Sequence, residues 1–332
     1  MTPDTTNRAT QTAGVGFAGA AYLLWGVLPL YFLLLVPTGP WEVVAWRVLL
    51  SFVFCLLLLT VMRGWGAFRA IIRQPKLLGW TALAGLLIYV NWQVFLIGTL
   101  TGNVVETSLG YFINPITTVL LGVFVLKERI RRLQWAAIAI AAVAVVVIVV
   151  AHGSFPWIAL SLTASFGIYG LIKKQIGPAV DAVSGLTLES FWLIPIAIVQ
   201  LIIVAQTPAG LTMGTQGGWH AILLALAGVA TAVPLLLFAA GTRRVNLTVI
   251  GMIQFITPVM QFIIGVAVLG EPMPAERWAG FIIVWIAITI FVIDLLLAAR
   301  RSRRTIAQTA LSPARTTGES SGATRRTSPS RN

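Results

Sequence analysis

The sequence predicts an all-α membrane protein of ten transmembrane helices, arranged as two inverted five-helix repeats. Three observations carry this. Of 332 residues, 58% are hydrophobic and only 10% charged, with a mean hydropathy of +0.91, whereas a soluble chain carries about 25% charged residues. Apolar runs long enough to cross roughly 30 Å of hydrocarbon recur along nearly the whole length. The second half also echoes the first at a fixed separation of 143 residues.

The spans are expected near 15–35, 41–62, 77–99, 104–126, 134–151, 156–174, 183–205, 219–240, 247–269 and 277–298, with short connections between them. In the repeat, Gly85 matches Gly228, Phe95 matches Phe238, and "GTLTGN" (98–103) matches "GTRRVN" (241–246). "FINP" (112–115) matches "FITP" (255–258), Gly122 matches Gly265, Glu128 matches Glu271, and "QWA" (134–136) matches "RWA" (277–279). So many matches in one register mark a duplicated unit. Because five is odd, sequential copies enter the membrane in opposite directions.

Loop charge agrees. With the N-terminus inside, all of the 23 basic residues except Arg47 and Arg277 fall in inner segments. Lys127, Arg129, Arg131 and Arg132 of the first copy are replaced by Gly270, Pro272, Pro274 and Ala275 in the second. The chain thus divides into a cytoplasmic N-terminal segment (1–13), a first repeat (14–151), a second repeat (152–298) and a basic cytoplasmic tail (299–332). The tail is Ser/Thr/Arg-rich and reads as disordered. Residues 1–13 lack the charge of a signal-peptide n-region.

The net charge of +13 sits at helix ends and in the tail, where it sets topology and faces anionic lipid, not nucleic acid. Cys55 is the sole cysteine, so no disulfide or thiolate cluster forms within the chain. His152 and His220 lie near the ends of apolar runs, and HExxH, GxSxG and phosphate-loop patterns are absent. No catalytic residue, metal site or cofactor is expected.

Along the chain, the residues costly in hydrocarbon stand out. Arg47 enters the second span about six residues from the outer side. Asn91 and Gln93 lie in the third. The fourth begins "ETSLGYFINP" (106–115), with Glu106 at a depth that allows an ion pair to Arg47, and with Tyr111 and Asn114 as cavity-lining candidates. A structural Arg47–Glu106 bridge that never touches solute is the alternative. Pro115 and its repeat mate Pro258 each free a backbone carbonyl and are candidate helix hinges. Glu189, in the seventh span, has no cation expected at its level and is a candidate proton carrier, or else a neutral helix-packing group. Gln254 and Gln261 add polar groups to the ninth span, while Trp25, Trp46 and Trp92 line a cavity or pack. Glu42 and Asp294 read as interfacial.

The stretches "AAYLLWGVLPLYF", "WRVLLSF", "NWQVFLIG", "ETSLGYFINP", "VLKERIRRLQW" and "SFGIYGLIKKQIG" resemble the RarD family, in the EamA branch of the drug/metabolite transporter superfamily, from about residue 14 to 298. The resemblance implies a ten-helix permease of the bacterial inner membrane, and an association with chloramphenicol sensitivity. It also places Arg47, Glu106, Asn114 and Glu189 at family-typical positions. The expected function is secondary transport of small organic solutes by alternating access, with proton coupling and uncoupled facilitation both open. A homodimer is also left open. A membrane-embedded enzyme or a receptor finds no supporting constellation.

Overall fold

The computed structural model describes residues 3–127, 130–152, 155–242, 244 and 253–311, and every regular element among them is helical. The helices are α1 (Pro3–Leu33), α2 (Pro40–Val61), α3 (Trp65–Ile72), α4 (Pro75–Leu100), α5 (Val104–Leu126) and α6 (Arg132–His152). After these come α7 (Trp157–Ile176), α8 (Ala182–Ala205), α9 (Gly218–Thr242), α10 (Ile256–Ile263) and α11 (Ala275–Leu311). Local chemistry sets several of the starts. Pro40 and Pro75 open α2 and α4, where a missing N–H costs nothing. Asp181 caps α8 by accepting the Ser184 amide at 3.0 Å.

Seven helices among the described residues are long and apolar enough to cross a membrane: 11–33, 40–61, 75–100, 104–125, 182–205, 218–238 and 275–294. Three shorter apolar stretches, 132–144, 157–173 and 256–268, lie on the fifth, sixth and ninth expected spans. The sequence pass misses α3, which buries Ile71 beneath a connection expected to be a loop. α11 continues to Leu311, into the stretch expected as tail; residues 312–332 lie outside the described ones, as do Glu128 and Arg243.

The packing exchanges the two halves. α2 lies on α9 as α8 lies on α4, α1 on α9 as α7 on α4, and α1 on α10 as α7 on α5. The pairs α2 with α8, α5 with α10, and α6 with α11 join equivalent positions of the two copies. The repeated glycines make the closest crossings. A Cβ on Gly85 would sit 2.9 Å from the Glu189 carbonyl oxygen, and one on Gly228 2.5 Å from the Leu50 carbonyl carbon. Only glycine lets backbones approach so closely, as at many membrane helix crossings. Around these crossings Phe32, Val44, Leu96, Leu162, Leu193 and Leu224 form the main core. Leu57, Val61, Ile202 and Ile203 stay exposed on the outer faces, where a bilayer would cover them.

Candidate functional site

A cavity lies between the halves, near mid-length of α2, α4, α5 and α9. The first half contributes Tyr22, Trp25 and Leu28 of α1, Arg47 of α2, Ile88, Asn91, Trp92 and Phe95 of α4, and Tyr111 and Asn114 of α5. The second half contributes Phe166 of α7, Thr231 and Leu235 of α9, and Gln254, Thr257, Pro258 and Gln261 at and before α10. Its atom-free space is about 760 Å³ with the open side included.

Arg47 is 3% exposed and is held from two directions. Its Nε donates to Thr231 Oγ1 at 2.5 Å. That hydroxyl spends its own proton on the Ala227 carbonyl at 2.8 Å, which leaves lone pairs for the arginine. The guanidinium carbon stands 4.3 Å from the Trp92 ring centroid and 5.5 Å from that of Phe32, so two aromatic faces offset part of its desolvation. Nη1 is buried without a hydrogen-bond partner. Among the described residues no carboxylate lies within ion-pair distance of Arg47.

The other polar lining groups divide into engaged and idle. Asn91 donates to the Leu162 carbonyl (3.1 Å) and Ser165 Oγ (3.2 Å), and accepts from Tyr111 Oη at 3.2 Å, so it fastens α4, α5 and α7 together. Asn114 Oδ1 and Gln261 Oε1 are buried and unpartnered. Gln261 Nε2 donates to the Trp25 carbonyl at 3.2 Å. Pro29 explains that bond: it has no N–H to return to residue 25, and a side chain from α10 takes the freed carbonyl. Thr257 Oγ1 donates to the neighbouring Tyr22 carbonyl at 2.6 Å.

Of the residues singled out from sequence, Trp25, Arg47, Asn91, Trp92, Tyr111, Asn114, Gln254, Pro258 and Gln261 meet in this cavity, while Trp46, Gln93, Glu106, Pro115 and Glu189 do not. The expected Arg47–Glu106 pair is replaced by other bonds: Glu106 Oε1 accepts the Ile158 amide at 3.1 Å, at the start of α7. Glu189 does have a cation at its level. Lys173 Nζ lies 2.7 Å from its Oε1, and Tyr169 Oη donates to Oε2 at 3.2 Å. The sequence reading assigned Lys173 to the inner loop, but its four-carbon stem reaches back along α7. Gly185 leaves room for the ammonium, since a Cβ there would be 2.9 Å from Nζ.

Glu42 stands in the first turn of α2 and turns inward. It is 1% exposed and accepts the Thr212 and Met213 amides. Asp294 pairs with Arg131. α5 runs unbroken through Pro115, whereas Pro258 stands in the first turn of α10, just after a break at 254–255. Sequence reasoning passes over Tyr22, Phe95, Phe166 and Thr231. Thr231 left a signal: a hydroxyl one turn before Pro234 in an otherwise apolar helix.

Comparison with known proteins decides the lineage. A model of the EamA-like transporter family matches residues 12–150 and again 155–293. The chain belongs to this EamA-like transporter family. Among its relatives, protein RarD of Streptomyces exfoliatus is 42% identical over 88% of this chain and 92% of its own. Protein RarD of Escherichia coli strain K12 is 38% identical over 89% and 99%. An uncharacterized transporter of Vibrio cholerae is 37% identical over 92% and 99%. A crystal structure of another protein superposes with a TM-score of 0.56 at 16% identity, covering 86% of this chain and 99% of that one, a likeness in fold alone. This EamA-family protein is therefore a multi-pass membrane transporter of the drug/metabolite kind, with a small-molecule substrate and a lipid environment.

Proposed function

We propose that the protein is a secondary active transporter that moves small organic solutes across the bacterial inner membrane by alternating access. Its ten spans form two five-helix repeats of opposite orientation, with both termini cytoplasmic. The observation that carries this reading is the placement of the cavity: both halves line it, and groups at equivalent repeat positions supply parts of its wall. In transporters built on inverted repeats, the solute sits at the repeat interface and the halves rock around it. The broken stretch at 254–268, opposite a continuous α5, fits the same pattern.

Proton coupling is assigned to Glu189. It is 1% exposed, and its partner Lys173 offers a second site for the charge to be balanced as the halves move. Substrate and proton then act on one equilibrium between inward- and outward-facing states. Uncoupled facilitation remains the competing reading.

Solute flux in liposomes containing only this protein tests the transport reading; absence of flux for a broad panel of metabolites would overturn it. In the same vesicles, Glu189→Gln should abolish transport driven by a pH gradient and leave exchange between equal pools largely intact. Lys173→Met combined with Glu189→Gln separates coupling from loss of the ion pair. Unchanged pH-driven transport in both variants returns Glu189 to a packing role. Thiol labelling of Lys76→Cys and Ala275→Cys in a Cys55→Ala background checks orientation, since only the second should react from outside.

A further inference from the structure

We propose that Arg47 anchors a singly charged organic anion, a carboxylate on a flat apolar body, so that the solute of this transporter is anionic and not neutral. The inference rests on the transport reading for the role of the cavity, but its chemistry is read from the cavity alone. A guanidinium buried in a membrane protein is expensive unless charge or hydrogen bonds meet it. Here Thr231 takes Nε, Trp92 covers one face, and Nη1 is left with nothing. Among the described residues no carboxylate stands there to neutralise it. A counter-ion that arrives and leaves with each cycle completes the site.

The charge of that ion follows from the walls. Among the described residues lining the cavity, Arg47 alone is cationic. A phosphate monoester carries nearly two charges, which one guanidinium without a second cation among the described lining residues cannot balance. A carboxylate carries one charge and fits. Trp25, Trp92, Phe95 and Phe166 give the rest of the cavity aromatic faces, suited to a flat apolar body. Asn114 Oδ1 and Gln261 Oε1, buried and without donors, would accept an N–H or O–H from the same molecule.

Binding of matched acids and amides tests the proposal independently of transport. The full chain is placed in nanodiscs of phosphatidylcholine and titrated with benzoate, 3-phenylpropionate and indole-3-propionate, each beside its primary amide, at pH 7.5. At least one acid should bind tenfold or more tightly than its amide. Arg47→Gln should bring that ratio to about one, and Arg47→Lys should restore part of it. If the Arg47 variants fail to fold, the acid–amide ratio of the wild type still decides the matter. Equal binding of acid and amide, or no binding of any acid, overturns the proposal. Nanodiscs containing phosphatidylglycerol test the other source of an anion: if that lipid suppresses acid binding tenfold, a headgroup occupies the site and the solute assignment fails. Tight acid binding without flux in liposomes would sink the transport reading and leave the anion site standing. Flux without acid preference would do the reverse.

Discussion

Residues 112–122 and their mates 255–265 are two copies of one motif, from Phe-Ile-Asn-Pro or Phe-Ile-Thr-Pro to a glycine, yet they have different backbones. The first lies inside α5, continuous from Val104 to Leu126 across its proline. The second has a turn at 254–255, eight residues of helix, and then a widened π turn over Ile264–Val268, with the Leu269 amide reaching back to the Ile264 carbonyl at 2.9 Å. Neighbours, not the motif, set the difference. α5 and α7 are clamped together by a glycine on each: a Cβ on Gly110 of α5 would sit 2.8 Å from the Ala159 carbonyl oxygen, and Gly167 of α7 lies against Thr117 and Leu121. Between α10 and α1, long side chains of α10 meet a glycine and bare carbonyls of α1. Gly26 meets the Met260 thioether, and Thr257 and Gln261 bond to the Tyr22 and Trp25 carbonyls. Pro29, which frees one of those carbonyls, corresponds to Ile172 in the other copy. Duplication kept the motif and changed the surface it rests on.

The widest separation between the two regions should appear on filling a glycine in each. Gly110→Ala presses a methyl onto backbone and should cost about 1–3 kcal/mol of stability. Gly26→Ala presses on the Met260 side chain alone, first on its flexible thioether at 2.7 Å and then on its Cβ at 3.0 Å, and should cost about half as much or less. Unfolding of both variants in nanodiscs measures this, and equal losses would erase the distinction drawn between clamped and adaptable packing.

A smaller effect sharpens the account of α10. Gln261→Leu leaves the Trp25 carbonyl without a donor and should cost about 1–2 kcal/mol. Pro29→Ala returns an N–H to that carbonyl, so in this background the same change should cost distinctly less. A double-mutant cycle reads the coupling; additivity would mean that Gln261 does not serve the carbonyl that Pro29 frees.

The smallest effect concerns Glu271, which ties the two regions together. From the turn after the π stretch it accepts the Val104 and Val105 amides at 2.6 and 2.9 Å, at the start of α5. Burial raises its carboxyl above the ordinary 4.5, with those amide bonds pulling the other way. A raised value in the folded state means that folding favours the protonated form. Its contribution to stability is therefore greatest below 4.5, declines as pH rises through the interval above it, and is constant beyond. Thermal unfolding of the wild type against Glu271→Gln should show this slope lost in the variant; parallel pH profiles would contradict it.

The sequence discloses the bundle, the duplication and nine of the cavity residues, because hydropathy, repeat register and the cost of polar groups in hydrocarbon are all local readings. Partner choice is not local. Lys173 was counted with the inner loop by position, though its stem carries the charge a full turn or more back toward Glu189. Glu106 and Arg47 shared a depth, but depth says nothing of azimuth around each helix, and the backbone amide of Ile158 claims the carboxylate. The break at 254–255 lies one turn before Pro258, an expected hinge, yet the matching Pro115 breaks nothing, and the shared motif does not say which of the two helices opens.

The lone arginine of α2 has a history as well as a position. Membrane helices enter the bilayer as the ribosome makes them, and Arg47 emerges 184 residues before the threonine that will hold it, and before Trp92 as well. At the centre of a nascent helix an arginine costs about 2.5–3.5 kcal/mol, while each leucine or valine favours insertion by about 0.3–0.6 kcal/mol. α2 carries six leucines and five valines, enough to take the charge into the membrane unaided. The leucine-rich end of α2 touches no part of the cavity; its service is rendered during synthesis, before the cavity exists.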